Sequence, residues 1–412
     1  MKKIVTLFML TLLSAACAFS QVKYDTVKTM SVGPGMIYTH YTVSSVPWEM
    51  DVLEIDLRNP YLRLETAKAG DRYAGLEKTS AMAARKSAPG HRVIGAINAD
   101  FFDMSNGKPI NIQVAQGEFV RGPSSGLSTI GFTDMNRPVM ERLSMSGAVI
   151  NGGAKAPIHN VNQTRNTDQL ILFNSFMGTS TGTNMYGAEA LVRPVTPWIV
   201  NDTVACVVDT IVSGVGNMAI PKGSAVLSGH GVSASFITSS MKKGDTVRIV
   251  MTLAPSAKRI TEVIGGYPRI VKNGEDYVDQ GYSEEGGPDH TYQRHNRTAI
   301  GFNADTTKLY FVVVDGRTAA SLGMTLKEVS AFMRAIGVWQ GMNFDGGGST
   351  TMVINNAIVN HPTDGSGERP VANAMLAVTT APVDTLVKAQ LTSDRIRIFR
   401  GETFAFGANG WD

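Results

Sequence analysis

The pattern of apolar and polar residues along most of the chain is typical of short β-strands. The two kinds of residue alternate over residues 50–57 and 62–65, as in strands with one buried face. Similar runs predict strands at residues 92–97, 169–173, 198–212 and 246–253, with hairpins and long loops over residues 105–200. A first helix is predicted over about residues 80–86.

One segment combines the strand and helix patterns. Residues 308–314 are a continuous apolar run, which is typical of a strand buried on both faces. Thr325 and Glu328 then have the spacing of a capping box, apolar residues follow at helical spacing as far as Gly337, and residues 338–344 form a second strand. This strand, helix and parallel strand predict a right-handed crossover. The fold class is therefore α+β: a β-rich mixed-sheet core with a few helices including one β-α-β crossover, plus accessory β-strands at both ends.

Four parts are predicted along the chain. Residues 1–20 are a signal peptide, residues 21–90 an N-terminal β-rich segment that packs on the core, and residues 91–381 the core domain. Residues 382–412 form a C-terminal β segment, either a truncated immunoglobulin-like module or a strand pair docked on the core.

The N-terminus reads as an export signal. Lys2 and Lys3 precede a short apolar run that ends in small residues, so a secreted, periplasmic or cell-surface location is expected. An uncleaved anchor and lipid attachment at Cys17 are the alternatives. Cleavage would leave Cys206 as the one cysteine, and its apolar surroundings predict a buried, inert thiol.

The charge balance limits the partners. The chain has 38 Lys and Arg residues against 35 Asp and Glu residues, and loss of Lys2 and Lys3 with the signal peptide would leave 36 against 35. Because nucleic-acid-binding proteins carry a basic stripe, no nucleic-acid partner is expected. No second long apolar stretch follows the first, so no transmembrane span is expected in the mature chain. The oligomeric state stays open.

Two aspartates follow the strands of the crossover. Asp315 and Asp345 each come directly after a strand end, and the ends of parallel strands share one edge of a sheet. Two carboxylates at one edge suit acid–base or glycosyl-transfer chemistry. The alternative is that each aspartate only caps a turn before glycine.

A glycine run follows the second aspartate. Gly346, Gly347 and Gly348 precede Ser349 and Thr350, so backbone N–H groups and hydroxyls could bind an anion there. A plain glycine-rich turn is the alternative, and a P-loop is not expected because its lysine is missing. Arg297 opens another strand and has the chemistry of a phosphate or carboxylate clamp.

Taken in order, several segments resemble the phosphodiester glycosidase family. They are residues 98–102 (Asn-Ala-Asp-Phe-Phe), 265–268 (Gly-Gly-Tyr-Pro), 297–301 (Arg-Thr-Ala-Ile-Gly), 313–317 (Val-Val-Asp-Gly-Arg), 343–351 (Asn-Phe-Asp-Gly-Gly-Gly-Ser-Thr-Thr) and 368–374 (Glu-Arg-Pro-Val-Ala-Asn-Ala). The resemblance covers roughly residues 94–380, so residues 91–381 are identified as the catalytic domain. Ala99 and Asp100 stand where the family often has two glycines. A role for Asp100 therefore rests only on its position beside the expected cleft.

The resemblance implies an exported hydrolase that cleaves the sugar–phosphate glycosidic bond of a sugar-1-phosphodiester. The substrate would be N-acetylglucosamine-1-phosphodiester-like and part of a glycan or cell-envelope polymer. The implied catalytic residues are Asp315, Asp345 and Arg297, and the implied substrate-binding residues are Asn98, Arg317, Gly346, Gly347, Gly348, Ser349 and Thr350. Asp100 joins the substrate-binding candidates through its position beside the expected cleft alone. The sequence does not distinguish a retaining from an inverting reaction.

Two other hypotheses about the function stay open. No cofactor is required, yet Asp100, Asp315 and Asp345 together would offer oxygen ligands to Ca²⁺, which suits a metal-assisted phosphodiesterase. The other hypothesis is an exported glycan-binding protein without catalysis, although binding alone does not need paired carboxylates.

Overall fold

The structure is a computed structural model that describes residues 22–122, 126–286 and 291–382, together with the backbone of two strands, residues 388–391 and 408–411. The predicted signal peptide, Cys17 and most of the C-terminal segment lie outside the described residues. In the C-terminal segment, the two described strands pair antiparallel with each other.

Strands dominate the described residues. The helices are α1 (Thr79–Lys86), α2 (Val232–Ser240), α3 (Val278–Glu285) and α4 (Leu326–Ala335). The first fourteen strands are β1 (Asp25–Gly33), β2 (Met36–Val43), β3 (Trp48–Asp56), β4 (Leu62–Lys68), β5 (Arg92–Asn98), β6 (Gln113–Ala115), β7 (Glu118–Arg121), β8 (Ser128–Phe132), β9 (Pro138–Arg142), β10 (Ser144–Asn151), β11 (Ala154–Ile158), β12 (Asn160–Val161), β13 (Leu170–Asn174) and β14 (Ala188–Pro194). The others are β15 (Asp202–Ser213), β16 (Ala225–Gly229), β17 (Thr246–Ala254), β18 (Glu262–Gly265), β19 (Arg269–Lys272), β20 (Glu275–Asp276), β21 (Arg297–Phe302), β22 (Lys308–Val314), β23 (Gln340–Asn343), β24 (Met352–Ile354), β25 (Ala357–Ile358), β26 (Asn373–Thr379), β27 (Lys388–Leu391) and β28 (Ala408–Trp411).

The strands up to β26 form four sheets. The core sheet has the order β1-β2-β3-β22-β21-β23-β19-β20, and the facing sheet has the order β25-β24-β5-β26-β4. The lobe sheet has the order β11-β10-β17-β15-β14-β16-β13-β12, and the bridging sheet has the order β7-β6-β18-β8-β9. The predicted β-rich α+β class is confirmed.

The core and facing sheets pack face to face. Leu53 and Phe311 of the core sheet are fully buried in one cluster with Ile97 and Met375 of the facing sheet. The apolar side of α4 covers the other face of the core sheet, and α1 covers the other face of the facing sheet. This gives four layers, helix, sheet, sheet and helix, in which each sheet buries two apolar faces.

The lobe sheet has a core of its own, which it shares with α2 and with part of the bridging sheet. Cys206 of β15 is fully buried there, and burial raises the pKa of its thiol to about 12. The prediction of a buried, inert thiol is therefore confirmed. No helix in the described ranges is long and apolar enough to cross a membrane.

The predicted β-α-β crossover is present, and its two strands, β22 and β23, lie on either side of β21 in the core sheet. Both β22 and β23 run antiparallel to β21, so they are parallel to each other. The capping box of Thr325 and Glu328 starts the connecting helix α4, as predicted. Because β21 runs the opposite way, it begins at the edge where β22 and β23 end. Arg297, Asp315 and Asp345 therefore lie along one edge of the core sheet.

The N-terminal segment contributes to both central sheets. β1, β2 and β3 form one side of the core sheet, with β3 paired to β22, and β4 pairs with β26 in the facing sheet. The first helix and the strand after it lie within one residue of their predicted bounds.

The contact between the two central sheets tolerates little added volume. A methyl group on Gly95 of β5 would collide with Leu53 of β3, which is fully buried and cannot move into solvent. We expect Gly95→Ala to lower the free energy of unfolding by about 1–3 kcal/mol, the usual effect of overpacking. The control is Gly153→Ala, which adds a methyl group to open space and should change stability by less than about 0.5 kcal/mol. Urea denaturation measures both. A Gly95→Ala variant as stable as its control would contradict this packing.

Candidate active site

A buried amide joins the sheets at the edge that carries the predicted site. Asn98, at the end of β5, donates from Nδ2 to the carbonyl of Asp345 at 2.6 Å. Its Oδ1 accepts from the Thr298 hydroxyl at 2.7 Å and from the Thr351 N–H at 3.1 Å. Asn98 is fully buried, so its amide holds the strands in place. The structure places it beneath the site rather than on the surface of the site.

Asp345 and Asp100 form the carboxylate pair of the site. The Asp345 N–H donates to the carbonyl of Ala99 at 2.8 Å, which places residue 345 against the chain just before Asp100. Asp100 is almost fully buried, with its N–H donated to Asn373 and its Oδ2 accepting the Asn111 N–H, both at 2.9 Å. The sequence placed Asp345 beside Asp315, whereas the structure also brings it to Asp100.

Both carboxyl groups are weaker acids than ordinary aspartates. Burial raises the pKa of Asp345 to about 6, although a hydrogen bond from Ser349 and the charge of Arg369 act to lower it. Burial raises the pKa of Asp100 to about 7, and the nearby charge of Asp345 raises it further against the hydrogen bond from Asn111 and the charge of Arg121. Asp345 therefore loses its proton at a lower pH than Asp100 does.

Several buried polar atoms at this edge lack protein partners. Among the described residues, Asp100 Oδ1, Thr350 Oγ1 and Asn296 Nδ2 are buried and make no hydrogen bond with the protein. Buried polar atoms are normally paired, so unpaired ones at one place suit a site that binds water or a polar ligand.

Two arginines lie against the glycine run. A Cβ on Gly347 would lie 2.9 Å from Nη2 of Arg317, and a Cβ on Gly348 would collide with the guanidinium of Arg369. Arg317 is exposed, and Arg369 is held by an ion pair with Asp364 at 2.6 Å. The absence of side chains at the two glycines is what allows both guanidinium groups to approach.

The backbone of the run is less available than the sequence suggested. Residues Gly347–Ser349 form one turn of 3-10 helix. Within it the Gly347 N–H donates to the carbonyl of Asn296 at 2.9 Å, and the Ser349 N–H donates to Gly346 at 3.2 Å. The two arginines are therefore better placed than these two N–H groups to bind an anion.

Arg297 is buried close to this group. Its side chain is 1 % exposed and donates from Nε to the Met324 carbonyl at 2.8 Å and from Nη2 to the Gln293 carbonyl at 2.6 Å. Burial lowers the pKa of its guanidinium to about 10, with help from the charge of Arg317. The neighbouring residue Thr298 points the other way, toward Asn98. In the structure Arg297 braces the loops beside the site, and the predicted contact with substrate stays a prediction.

Asp315 lies at the same edge but in a different cluster. Its carboxylate accepts the Asn360 side-chain amide at 3.1 Å and the His361 N–H at 3.0 Å, and it contacts His361 Nδ1 at 3.0 Å. The Asp315 carboxylate raises the pKa of His361 through its hydrogen bond to the imidazole and its charge, and the negative charge of Glu49 raises that pKa further. Asp315 therefore anchors the segment after β25, which continues to Asp364 and Arg369.

One group in the described part of the chain brings three possible metal ligands together. Ligand atoms of Glu49, Asp315 and His361 lie within 4.8 Å of one another. Two carboxylates and an imidazole suit a transition metal better than the all-oxygen Ca²⁺ site that the sequence suggested for Asp100, Asp315 and Asp345.

Sequence reasoning missed several residues of the site. His361 and Asn360 lie in a short polar stretch before a proline, a signal too weak to single them out. Arg369 belongs to a quoted motif but was given no role, because its approach to Gly348 depends on the folded loop.

Comparisons with known proteins also find a similarity to phosphodiester glycosidases. Residues 198–378 match the family model described as phosphodiester glycosidase. The N-acetylglucosamine-1-phosphodiester alpha-N-acetylglucosaminidases of Mus musculus and Bos taurus are 28% identical over 113 residues and 29% identical over 111 residues. Each match covers 25% of this chain and 21% of the relative, so the chain spans about a fifth of the length of these curated relatives.

A solved structure supports the fold. A hypothetical protein from Synechocystis matches with a TM-score of 0.64 at 19% sequence identity, over 86% of this chain and 64% of that one. The family match includes Asp315, Asp345 and Arg369, whereas Asn98 and Asp100 lie before it. The resemblance to the phosphodiester glycosidase family that the motifs predicted is confirmed, and residues 198–378 are the part of the chain that carries it.

Proposed function

We propose that this chain is an exported hydrolase that cleaves the sugar–phosphate glycosidic bond of a sugar-1-phosphodiester. The substrate would resemble an N-acetylglucosamine-1-phosphodiester and belong to a glycan or cell-envelope polymer. The observation that carries the proposal is the pair of carboxyl groups, Asp345 and Asp100, beside the two arginines at the glycine run. The family match and the named relatives support the same reaction class.

Asp345 and Asp100 have different roles in the reaction at the anomeric carbon. Asp345 has the lower pKa and is partly exposed, so it is the carboxylate that attacks the anomeric carbon or takes a proton from water. Asp100 has the higher pKa and holds the proton. The bond between the anomeric carbon and the phosphate oxygen breaks, its electron pair leaves with the phosphate, and a water oxygen ends on the sugar.

The two arginines stabilise the negative charge of the leaving phosphate. Arg317 lies against Gly347 and Arg369 lies against Gly348, and guanidinium groups bind phosphate oxygens in a bidentate manner. A phosphate monoester is a weak base, so its departure depends more on charge stabilisation than on protonation. The two cations supply this stabilisation next to Asp345.

Replacement of the central carboxylate should abolish turnover. We expect Asp345→Asn to lower kcat by at least about a thousandfold, because an amide can neither attack carbon nor accept the proton of water. The measurement is release of reducing sugar from a sugar-1-phosphodiester, with thermal unfolding as the check on folding. The matched control is Asp134→Asn, an exposed loop aspartate, which should retain wild-type kcat. Wild-type turnover in Asp345→Asn would refute the role of Asp345.

The raised pKa values predict a narrow pH optimum. Asp345 must be ionised, so kcat/KM should rise as the pH increases through about 6, well above the range of an ordinary aspartate. We assign Asp100 the role of a neutral hydrogen-bond donor rather than a proton donor, so kcat/KM should fall as it ionises with the pH increasing through about 7. In Asp100→Asn, which cannot titrate, the fall above neutral pH should disappear. A flat wild-type profile between pH 5 and 8 would contradict this division of roles.

A metal-assisted phosphodiesterase is the second candidate. The Glu49, Asp315 and His361 group favours it, because a metal ion there would supply a Lewis acid for attack at phosphorus. The two candidates differ in the bond that breaks, carbon–oxygen or phosphorus–oxygen. We prefer the glycosidase because the paired carboxyl groups serve attack at carbon.

A further inference from the structure

A cavity of about 300 Å³ lies between the loops that follow β4 and β5 of the facing sheet and segments of the lobe sheet. Its walls come from the segments around residues 73 and 108, from the chain after β12, and from the loop before β14. The side chains that matter here are Tyr73, Lys108, Gln163, Arg165, Thr183 and Asn184. None of them belongs to the site described above.

The cavity is close to the carboxylate pair because one loop contributes residues to both. The loop that carries Lys108 begins directly after Asp100, and its far end returns to the same residue. There the Asn111 N–H donates to Asp100 Oδ2 at 2.9 Å, and the Ile110 N–H donates to the carbonyl of Phe101 at 2.9 Å. Lys108 is three residues before Asn111, so their Cα atoms lie within about 11 Å of each other. A ligand that fills both places needs to be only a few sugar units long.

The chemistry of the walls suits an anion rich in hydroxyl groups. Lys108 and Arg165 supply positive charge, and the other polar walls are amides and hydroxyls. None of the described residues that line the cavity is acidic, although the buried Glu189 accepts a hydrogen bond from Thr183 at 2.8 Å behind the wall. Asp103 lies near Lys108 and Glu189 lies near Arg165, but neither acidic residue lines the cavity. Cations beside amides and hydroxyls are the groups that bind phosphate and sugar oxygens.

Two of these side chains are held in position. Arg165 donates from Nη1 to the Ser228 hydroxyl at 2.9 Å and from Nη2 to Oδ1 of Asn184 at 2.7 Å. The Lys108 Nζ lies 5.5 Å from the centre of the Tyr73 ring. An ordered guanidinium and an aromatic ring lose little conformational entropy when a sugar ring packs against them.

We propose that this cavity binds a neighbouring repeat of the substrate, so that the enzyme acts on a phosphodiester-linked glycan oligomer rather than on a single sugar phosphodiester. This rests on the proposed function, because it extends the same substrate beyond the bond that breaks. The repeat in the cavity presents its phosphate to Lys108 and Arg165 and its sugar to Tyr73.

Two probes test the proposal. One is the methyl phosphodiester of N-acetylglucosamine-1-phosphate, a single unit, and the other is a trimer of N-acetylglucosamine-1-phosphate units joined by phosphodiesters. Binding is measured by calorimetry with the full chain carrying Asp345→Asn, so that affinity is read without turnover. We expect the trimer to bind more tightly than the single unit. Lys108→Met should weaken trimer binding about tenfold, because the charge-assisted contact is lost.

The control substitution is Lys222→Met, an exposed lysine in the turn before β16, which should leave the affinity for the trimer unchanged. Tyr73→Ala is a second variant and should also weaken binding of the trimer. Equal affinity of the two probes, or an affinity for the trimer that neither cavity variant changes, would overturn the proposal.

Hydrolysis by the unmutated chain separates this proposal from the proposed function. If the wild-type chain releases sugar from the single unit while the cavity variants bind the trimer normally, the cavity proposal fails and the activity stands. If the trimer binds through the cavity but neither probe releases sugar, the cavity proposal is supported and the proposed activity fails.

Discussion

The arrangement of the site depends on the hydrogen bonds of one buried amide. Asn98 ends β5 in the facing sheet, and its side chain binds the Asp345 carbonyl and the Thr298 hydroxyl of the core sheet. Together with the bond from the Asp345 N–H to the Ala99 carbonyl, these bonds join two sheets whose faces meet mainly through apolar contacts, which have no direction of their own. They fix the ends of the strands at the point where both carboxylates leave them, so the position of Asp100 relative to Asp345 follows from them.

Burial at this junction gives the carboxyl groups their chemistry. An aspartate in water is ionised at neutral pH, whereas the pKa values of Asp345 and Asp100 rise to about 6 and about 7. The carboxylate of Asp315, at the same edge, is hydrogen-bonded to Asn360 and His361. Carboxyl groups at one edge of a sheet thus have different roles, set by the groups that surround them.

Much of the framework could be predicted from the sequence. The continuous apolar run, the capping box and the second strand predicted the crossover, because those signals are local. Strand direction then placed Asp315 and Asp345 at one edge of the core sheet, whereas the place of Arg297 at that edge depends on the antiparallel pairing of β21 that the structure shows. The crossover and its strand direction were enough to predict Asp345 next to a polar, glycine-lined site.

The directions of the side chains could not be predicted in the same way. Arg297 and Thr298 are neighbours on β21 and point to opposite faces, so the role of each depends on which face meets the facing sheet. Asp100 and Asp345 are distant in sequence and meet only because two sheets pack together. His361 and Arg369 reach the site through a folded loop, for which periodicity gives no signal.

The central claim, attack at carbon by an aspartate pair, is tested most directly by the position of bond cleavage. A sugar-1-phosphodiester is hydrolysed in oxygen-18-labelled water, and the phosphate product is analysed by mass spectrometry. Cleavage between the anomeric carbon and oxygen predicts a phosphate monoester free of the label. A labelled phosphate product would mean attack at phosphorus and would contradict the account.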